Sequence, residues 1–259
     1  MIIGPGARRL KATQYEKIWG TTDLSPIFSS AGKKIGEVWF EDEERLPLLF
    51  KFLFTSERLS IQVHPDDEYG AKHENSLGKT EMWHVLRADP QGEIGLGFNK
   101  SYTAAEVEAG ARNGAIEDMM AWRHVQAGET YFVPAGEVHA IGGGVAICEI
   151  QQNSDVTYRL YDYGRPRELH LEHGMAVSRL GPYDGLQSGV VECPYFRTEK
   201  LRLDAALSLS GPNTVVIFLE GKGKIAGEAY ERGEAWRLLR NVTIEPAKLT
   251  TLLYVTWPG

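Results

Sequence analysis

The 28 glycines and 12 prolines of this 259-residue chain are spread along its whole length, and only short apolar runs rich in Val, Ile, Phe, Tyr and Trp lie between them. Punctuation of that kind forbids long helices and predicts a sandwich or barrel of short strands. The candidate strands are residues 36–40, 48–54, 59–63, 81–86, 130–133, 145–151, 196–203, 214–219 and 250–256. Two stretches break the rhythm. Thr103 with Glu106 forms a capping box ahead of a helix over residues 104–112, with Asn113-Gly114 as its stop. Residues 169–180 carry a second helical pattern.

Hydrophobic residues at 42% and charged residues at 24% place the chain among folded globular proteins and away from disordered or fibrous ones. A chain this long buries roughly 70–75% of its unfolded surface, enough for a self-sufficient core. No stretch approaches the ~20 apolar residues of a membrane span, and the first thirty residues hold no apolar run of signal-peptide length, so a cytoplasmic location is expected. With Cys148 and Cys193 as the only cysteines, a disulfide scaffold and a four-thiolate zinc site are both excluded. The net charge of −7 and the lack of a dense basic run argue against nucleic acid as a partner, while an anionic small molecule remains compatible.

An internal echo suggests duplication. Glu81-Met-Trp-His-Val-Leu followed by Gly128-Glu-Thr-Tyr-Phe is similar to Thr214-Val-Val-Ile-Phe-Leu followed by Gly233-Glu-Ala-Trp. Turn glycines between His173 and Pro194 put the boundary of two β units there, with residues 1–180 as one domain, carrying a short helical insert near 103–120, and 181–259 as the other. A surface loop within a single domain would have the same glycine-rich composition.

The most specific signal is Gly128-Glu-Thr-Tyr-Phe-Val-Pro134-Ala-Gly136-Glu-Val-His139, in which a turn glycine starts a short strand, Pro134 and Gly136 shape a reversal, and His139 then points inward. It resembles the second motif of the cupin superfamily. Ser60-Ile-Gln62-Val-His64-Pro65 supplies two further donors, because residues two apart share one face of a strand. Seventeen residues after His64, Glu81 leaves its strand on the face of Lys79, Trp83 and Val85, with Thr80, Met82, His84 and Leu86 on the other. A buried glutamate needs a partner, and a divalent cation is one. That parity turns His84 away from the site and makes it a structural or surface residue; His73, His124, His170 and His173 are read the same way.

Gln62, His64, Glu81 and His139 form a mixed nitrogen and oxygen set that suits one zinc ion, and equally admits Mn, Fe, Co or Ni. A second constellation follows at Glu149-Ile-Gln-Gln-Asn-Ser-Asp155-Val-Thr-Tyr-Arg159, whose odd-numbered members are polar and line one face if the chain stays extended. Such a face fits a sugar site, the alternative being a solvated edge.

Six blocks, in order, are similar to the type I mannose-6-phosphate isomerases, a cupin family also called phosphomannose isomerases. They are Ile18-Trp-Gly20, Ile35-Gly-Glu-Val-Trp39, Gln62-Val-His-Pro65, Gly78-Lys-Thr-Glu-Met-Trp83, Val133-Pro-Ala-Gly-Glu-Val-His139, and Glu149-Ile-Gln-Gln-Asn-Ser-Asp-Val-Thr-Tyr-Arg-Leu-Tyr-Asp-Tyr163. The chain is similar to the short bacterial-type form of that family. The resemblance implies a cupin jelly-roll barrel with a second, degenerate β unit and a few short helices. It also implies that Gln62, His64, Glu81 and His139 hold zinc, that Arg159 is catalytic, and that Lys79, Glu149 and Asp155 are polar residues of the substrate pocket. Lys79 is in addition a candidate catalytic group.

The C-terminal part fits the family poorly. Counting from Gly233 as from Gly128 to His139 lands on Ile244, so the second unit lacks that ligand and is expected to be structural.

The function expected is metal-dependent interconversion of mannose 6-phosphate and fructose 6-phosphate through an enediol, with a small sugar phosphate as partner. A metal-held hydroxide, Glu149, Asp155 and Lys79 all remain open as the base. Lys79, Arg159, Arg165 and Arg167 are candidates to hold the phosphate. Three other readings compete: an isomerase or epimerase of a related sugar or sugar phosphate, a non-catalytic sugar-sensing cupin, and an iron-dependent dioxygenase. The oligomeric state is not encoded in any motif.

Overall fold

Seven residues, Leu48–Phe54, run LLFKFLF and are all buried, because this strand is covered on both faces. In this computed structural model, which describes residues 6–259, its even-numbered side chains and its odd-numbered ones enter different environments. Leu48, Phe50, Phe52 and Phe54 join one apolar cluster with Met82, Cys148, Ile150, Val215, Ile217 and Leu253. Lys51 and Leu53 instead line a cavity on the opposite side. The period of two that strands impose thus sorts one short segment between a core and a site.

The chain is mostly β, as the sequence predicts. Leu48–Phe54 lies inside a seven-stranded sheet, flanked by Val145–Gln152 and Ile35–Glu41, with Glu81–Ala88, Thr130–Val133 and Leu186–Gln187 beyond the first and Lys11–Thr21 beyond the second. A five-stranded sheet runs Tyr158–Tyr161, Ile61–Val63, His139–Ile141, Glu93–Phe98, Met120–His124. The remaining strands make a six-stranded and a four-stranded sheet that enclose a further core around Phe218, Tyr230, Leu238 and Ile244. The N-terminal strand Ala7–Arg9 pairs with Ala235–Leu238, so the first described residues complete the six-stranded sheet. The first five residues of the expected 1–180 unit lie outside the described residues.

Leu48–Phe54, Thr130–Val133 and Thr250–Thr256 have the bounds expected. The strand expected from residue 59 begins at Ile61, and Leu59 makes a single backbone bond to Ile141 O at 2.8 Å before the ladder starts. The capping box is formed: Thr103 Oγ1 accepts from Glu106 N, Glu106 Oε2 accepts from Thr103 N, and Gly114 closes Ala104–Asn113 at φ 88°. The helix expected over 169–180 is shorter, Leu171–Val177, because the Ser178 hydroxyl donates to Gly174 O and the backbone turns extended there. A helix at Asp67–Glu74 was not foreseen; Asp66 caps it by accepting from Tyr69 N at 2.9 Å. Among the described residues no helix is long and apolar enough to cross a membrane.

The polar run from Glu149 does not stay extended. Its strand ends at Gln152 and pairing resumes at Tyr158. Between them the Asn153 amide donates to Leu46 O and the Gln151 amide donates to Ser154 O, which breaks the phase and takes both out of the expected row.

Candidate active site

Two rungs of the facing sheets build the site. In the five-stranded sheet Gln62 is the register partner of His139 on one side and of Arg159 on the other. In the seven-stranded sheet Glu149 is the partner of Trp83 on one side and of Lys51 on the other, and Lys51 is in turn opposite Trp39. Residues far apart in sequence are therefore brought level by hydrogen-bond register, with side chains on the inner faces. Gly136 makes the reversal before His139 feasible: its φ is 85°, and a Cβ there would stand 2.9 Å from Val177 O.

His64, Glu81 and His139 are all buried, and their donor atoms lie within 4.8 Å of one another. Each imidazole Nε2 is 3.6 Å from a different Glu81 oxygen, and the ring centroids are 4.8 Å apart. The Gln62 amide approaches His139 Nε2 at 3.3 Å. On the far side of each ring, Nδ1 meets a backbone carbonyl, Val156 O for His64 and Glu137 O for His139, both at 2.9 Å. With Nδ1 donating to those carbonyls, both Nε2 lone pairs face inward, the tautomer a metal ligand needs.

Burial and the nearby Lys79 ammonium hold His64 well below the usual imidazole range. Burial likewise pushes His139 down to about 4, so neither ring carries a proton where a cation would bind. Two neutral imidazoles, one carboxylate and one amide thus fit a divalent cation. Lys79 Nζ lies 2.9 Å from His64 Nε2 and 2.6 Å from Glu81 Oε2, so the same atoms already face a positive charge. Burial alone would lower the Lys79 ammonium, but Glu81 and Glu149 outweigh it and raise it.

Beside the donor set lies a cavity of about 270 Å³, lined by Lys79, Glu149, Asp155, Thr157, Arg159 and Arg167 among others. Glu149 is buried, and burial together with Glu81 pushes its carboxyl up. Asp155 stands at the rim, its side chain 68% exposed. Arg159 donates to Glu168 O at 2.8 Å and keeps a buried Nε without a partner among the described residues. Arg165 does not join the other phosphate candidates: it is turned toward Glu57, 3.0 Å away, and Arg58 O. His84 projects from the opposite face of its strand, hydrogen-bonded to Thr130 Oγ1, in agreement with the parity argument.

Sequence reasoning overlooked three charged cavity residues, Lys17, Glu37 and Lys51. Lys51, buried, lies 3.7 Å from Glu149 Oε1 and 3.6 Å from Asp155 Oδ1, and its ammonium caps the Trp39 ring at 4.5 Å. Glu37 accepts from Trp39 Nε1 at 2.7 Å, with Lys17 3.2 Å away. The Trp83 indole donates to Glu81 Oε1 at 3.0 Å and Glu149 Oε2 at 3.1 Å. A signal for Lys51 was present, since it is the one charge in LLFKFLF and shares the parity of Leu53.

Comparison with known proteins follows the same lines. The family model described as "Phosphomannose isomerase type I, catalytic domain" matches residues 9–98. A probable mannose-6-phosphate isomerase, GmuF, of Bacillus subtilis (strain 168) is 33% identical over 233 residues, 78% of this chain and 73% of that protein. The chain belongs to the type I phosphomannose isomerase family. Mannose-6-phosphate isomerase ManA of the same organism is 38% identical over 208 residues, 72% of this chain and 66% of that protein. A further relative, mannose-6-phosphate isomerase of Streptococcus mutans, is 36% identical over 198 residues, 69% of this chain and 62% of that protein. The aligned part of the chain thus spans just under two thirds of these last two relatives. The crystal structure of mannose 6-phosphate isomerase from Bacillus subtilis superposes with a TM-score of 0.85 at 26% identity, covering 96% of this chain and 99% of that one. As in those phosphomannose isomerases, the fold is a cupin fold.

Proposed function

We propose that the chain is a metal-dependent aldose–ketose isomerase that interconverts mannose 6-phosphate and fructose 6-phosphate through an enediol. The observation that carries this reading is the meeting of His64, Glu81 and His139 with Lys79, Glu149 and Arg159 around one cavity. Family membership and the names of the relatives support the substrate. The cation held by Gln62, His64, Glu81 and His139 is proposed to be zinc, which supplies Lewis-acid polarisation of the sugar oxygens when bound.

The isomerisation moves one proton between C1 and C2. Glu149, buried beside the donor set, is the carboxylate placed to carry it, whereas Asp155 lies at the rim and is assigned to binding. Lys79 holds Glu81 in place and adds positive charge where the enediol oxygens would develop negative charge. Arg159, permanently charged and only partly bonded, stabilises that charge from the opposite sheet. Arg167 is held by both Asp162 oxygens at 2.6 Å and reaches the cavity mouth, where a phosphate would enter. In this reading residues 1–180 are the catalytic cupin unit and 181–259 a supporting unit without metal ligands, in which Ile244 is buried among apolar side chains. A cytoplasmic location belongs to the same reading.

The test is a coupled assay of the metal-loaded protein on mannose 6-phosphate, with unphosphorylated mannose and related sugar phosphates alongside. Turnover of mannose 6-phosphate, lost by about 100-fold or more in Arg159→Ala and Glu149→Gln, is expected. Binding without turnover would instead favour a sugar-sensing protein, and faster turnover of another sugar would reassign the substrate.

A further inference from the structure

Behind the catalytic sheet, where it meets the six-stranded sheet, a second cavity of about 460 Å³ opens between strands of both. It lies on the far side of Glu81–Ala88 from the candidate active site, and His84 and Leu86 face it. Ile27 and Leu219 supply further apolar wall, and Lys200 and Arg232 stand along it. The size is that of a small-molecule site, roughly 300–1,000 Å³.

The polar groups here are unevenly satisfied. Arg87 is engaged by Asp23, 2.9 Å away, and by Ser25 O. Arg232 stands 3.6 Å from Glu220, the one acidic side chain lining the cavity. Lys200 has no carboxylate partner among the described residues, and its ammonium donates only to Gly128 O at 3.2 Å. His84 is only 3% exposed, with Nδ1 at 2.8 Å from Thr130 Oγ1 and no protein partner at Nε2 among the described residues. Thr130 Oγ1 can donate to Nδ1, and in that tautomer the neutral ring carries its proton on Nε2, toward the cavity. A ring N–H on a cavity wall that bonds to nothing in the protein is left to water or to a bound acceptor. Lys200 offers a second donor, with a full positive charge.

We infer that this cavity is a binding site for a small organic anion, whose charged group is held by Lys200, Arg232 and His84 Nε2 and whose apolar body packs on Ile27, Leu86 and Leu219. The chemistry required is one carboxylate or phosphate on a compact hydrocarbon: Ile27, Leu86 and Leu219 form the apolar part of the wall, and Glu220, the one acidic side chain lining it among the described residues, is taken up by Arg232. The site does not depend on the isomerase reading, since it shares no side chain with the catalytic cavity.

The experiment titrates the metal-loaded full-length protein with phenyl phosphate and with benzoate, following the imidazole resonances of selectively labelled histidine by NMR and affinity by calorimetry. The His84 signal is expected to shift on titration, and affinity to fall at least tenfold in Lys200→Ala while surviving in Arg159→Ala. A response to phenyl phosphate alone assigns a phosphate ester, and a response to benzoate alone a carboxylate; both support the site. An unmoved His84 resonance, affinity unchanged in Lys200→Ala, or binding abolished by Arg159→Ala would overturn it. Lys200 is exposed, so its replacement leaves folding intact, and Arg232→Gln serves as an independent second variant.

Discussion

Trp83 and Glu81 leave the same face of one strand, and the indole N–H of the first donates to the carboxylate of the second at 3.0 Å. The same N–H reaches Glu149, so one neutral donor ties the candidate metal-binding carboxylate to the candidate proton carrier. Trp83→Phe keeps the buried ring and removes the donor. Two buried carboxylates then lose a hydrogen bond, which costs about 1–3 kcal/mol. Chemical denaturation should register that loss, and kcat should fall about tenfold or more with KM changing little.

Metal content tests the donor set directly. Protein purified without chelator is expected to carry one divalent ion per chain by elemental analysis, and His139→Ala or His64→Ala to carry a small fraction of that. Removing the ion with a chelator should lower the melting temperature as well as abolish turnover, because a ligand bound only to the folded state stabilises it. Full metal occupancy in both histidine variants would break the proposed centre.

Lys51 lies buried between Glu149 and Asp155. Lys51→Met keeps much of the side chain and strands a buried carboxylate, at a cost of about 3–5 kcal/mol. The double variant Lys51→Met/Glu149→Leu should recover much of that stability while remaining inactive. Urea denaturation of the four proteins measures both effects, and a single variant as stable as the parent would show that the pair contributes nothing.

His84 has a distinct signature in pH. Burial, with Lys200 nearby, holds it down to about 4, against an ordinary value near 6.5. Between those values the unfolded chain binds a proton that the folded chain refuses. Stability is therefore full above about pH 6.5 and declines as pH falls toward 4, by on the order of 3 kcal/mol from this group. In His84→Gln the acid limb of the stability curve should be shallower by about one proton; an unaltered slope would mean that His84 titrates normally.

The apolar cluster joining Phe52 and Met82 to Val215, Ile217 and Leu253 couples the catalytic sheet to the C-terminal strands. Phe52→Ala should cost about 3–5 kcal/mol. Calorimetry should show a single transition moving down as a unit; two separated transitions would mean that the parts unfold independently.

Strand alternation made much of this legible in advance. Glu81 and His84 were assigned to opposite faces by parity alone, and Pro134, Gly136 and His139 marked a turn and an inward imidazole whose geometry the structure bears out. What failed to show was long-range and local in equal measure. Lys51 was hidden because a lone lysine in an apolar strand acquires meaning only when Glu149 is placed opposite it, a matter of register. Asn153 left the predicted row because a carbonyl at Leu46 offered its amide a better partner than the cavity did, which no sequence pattern announces. The helix at Asp67–Glu74 escaped notice because it buries only Gly70 and so carries no apolar stripe.

The strand Leu48–Phe54 also limits how this chain can be trimmed or rearranged. Lys51 and Leu53 floor the candidate catalytic cavity, while its even side chains, three of them phenylalanines, rest against residues from beyond position 190. Deleting the C-terminal part would not merely remove a passive appendage. It would wet the reverse of the cavity's own floor and hand the remainder a sticky plate to bury against whatever it met first, so aggregation rather than a smaller folded protein is the natural fate of such a fragment.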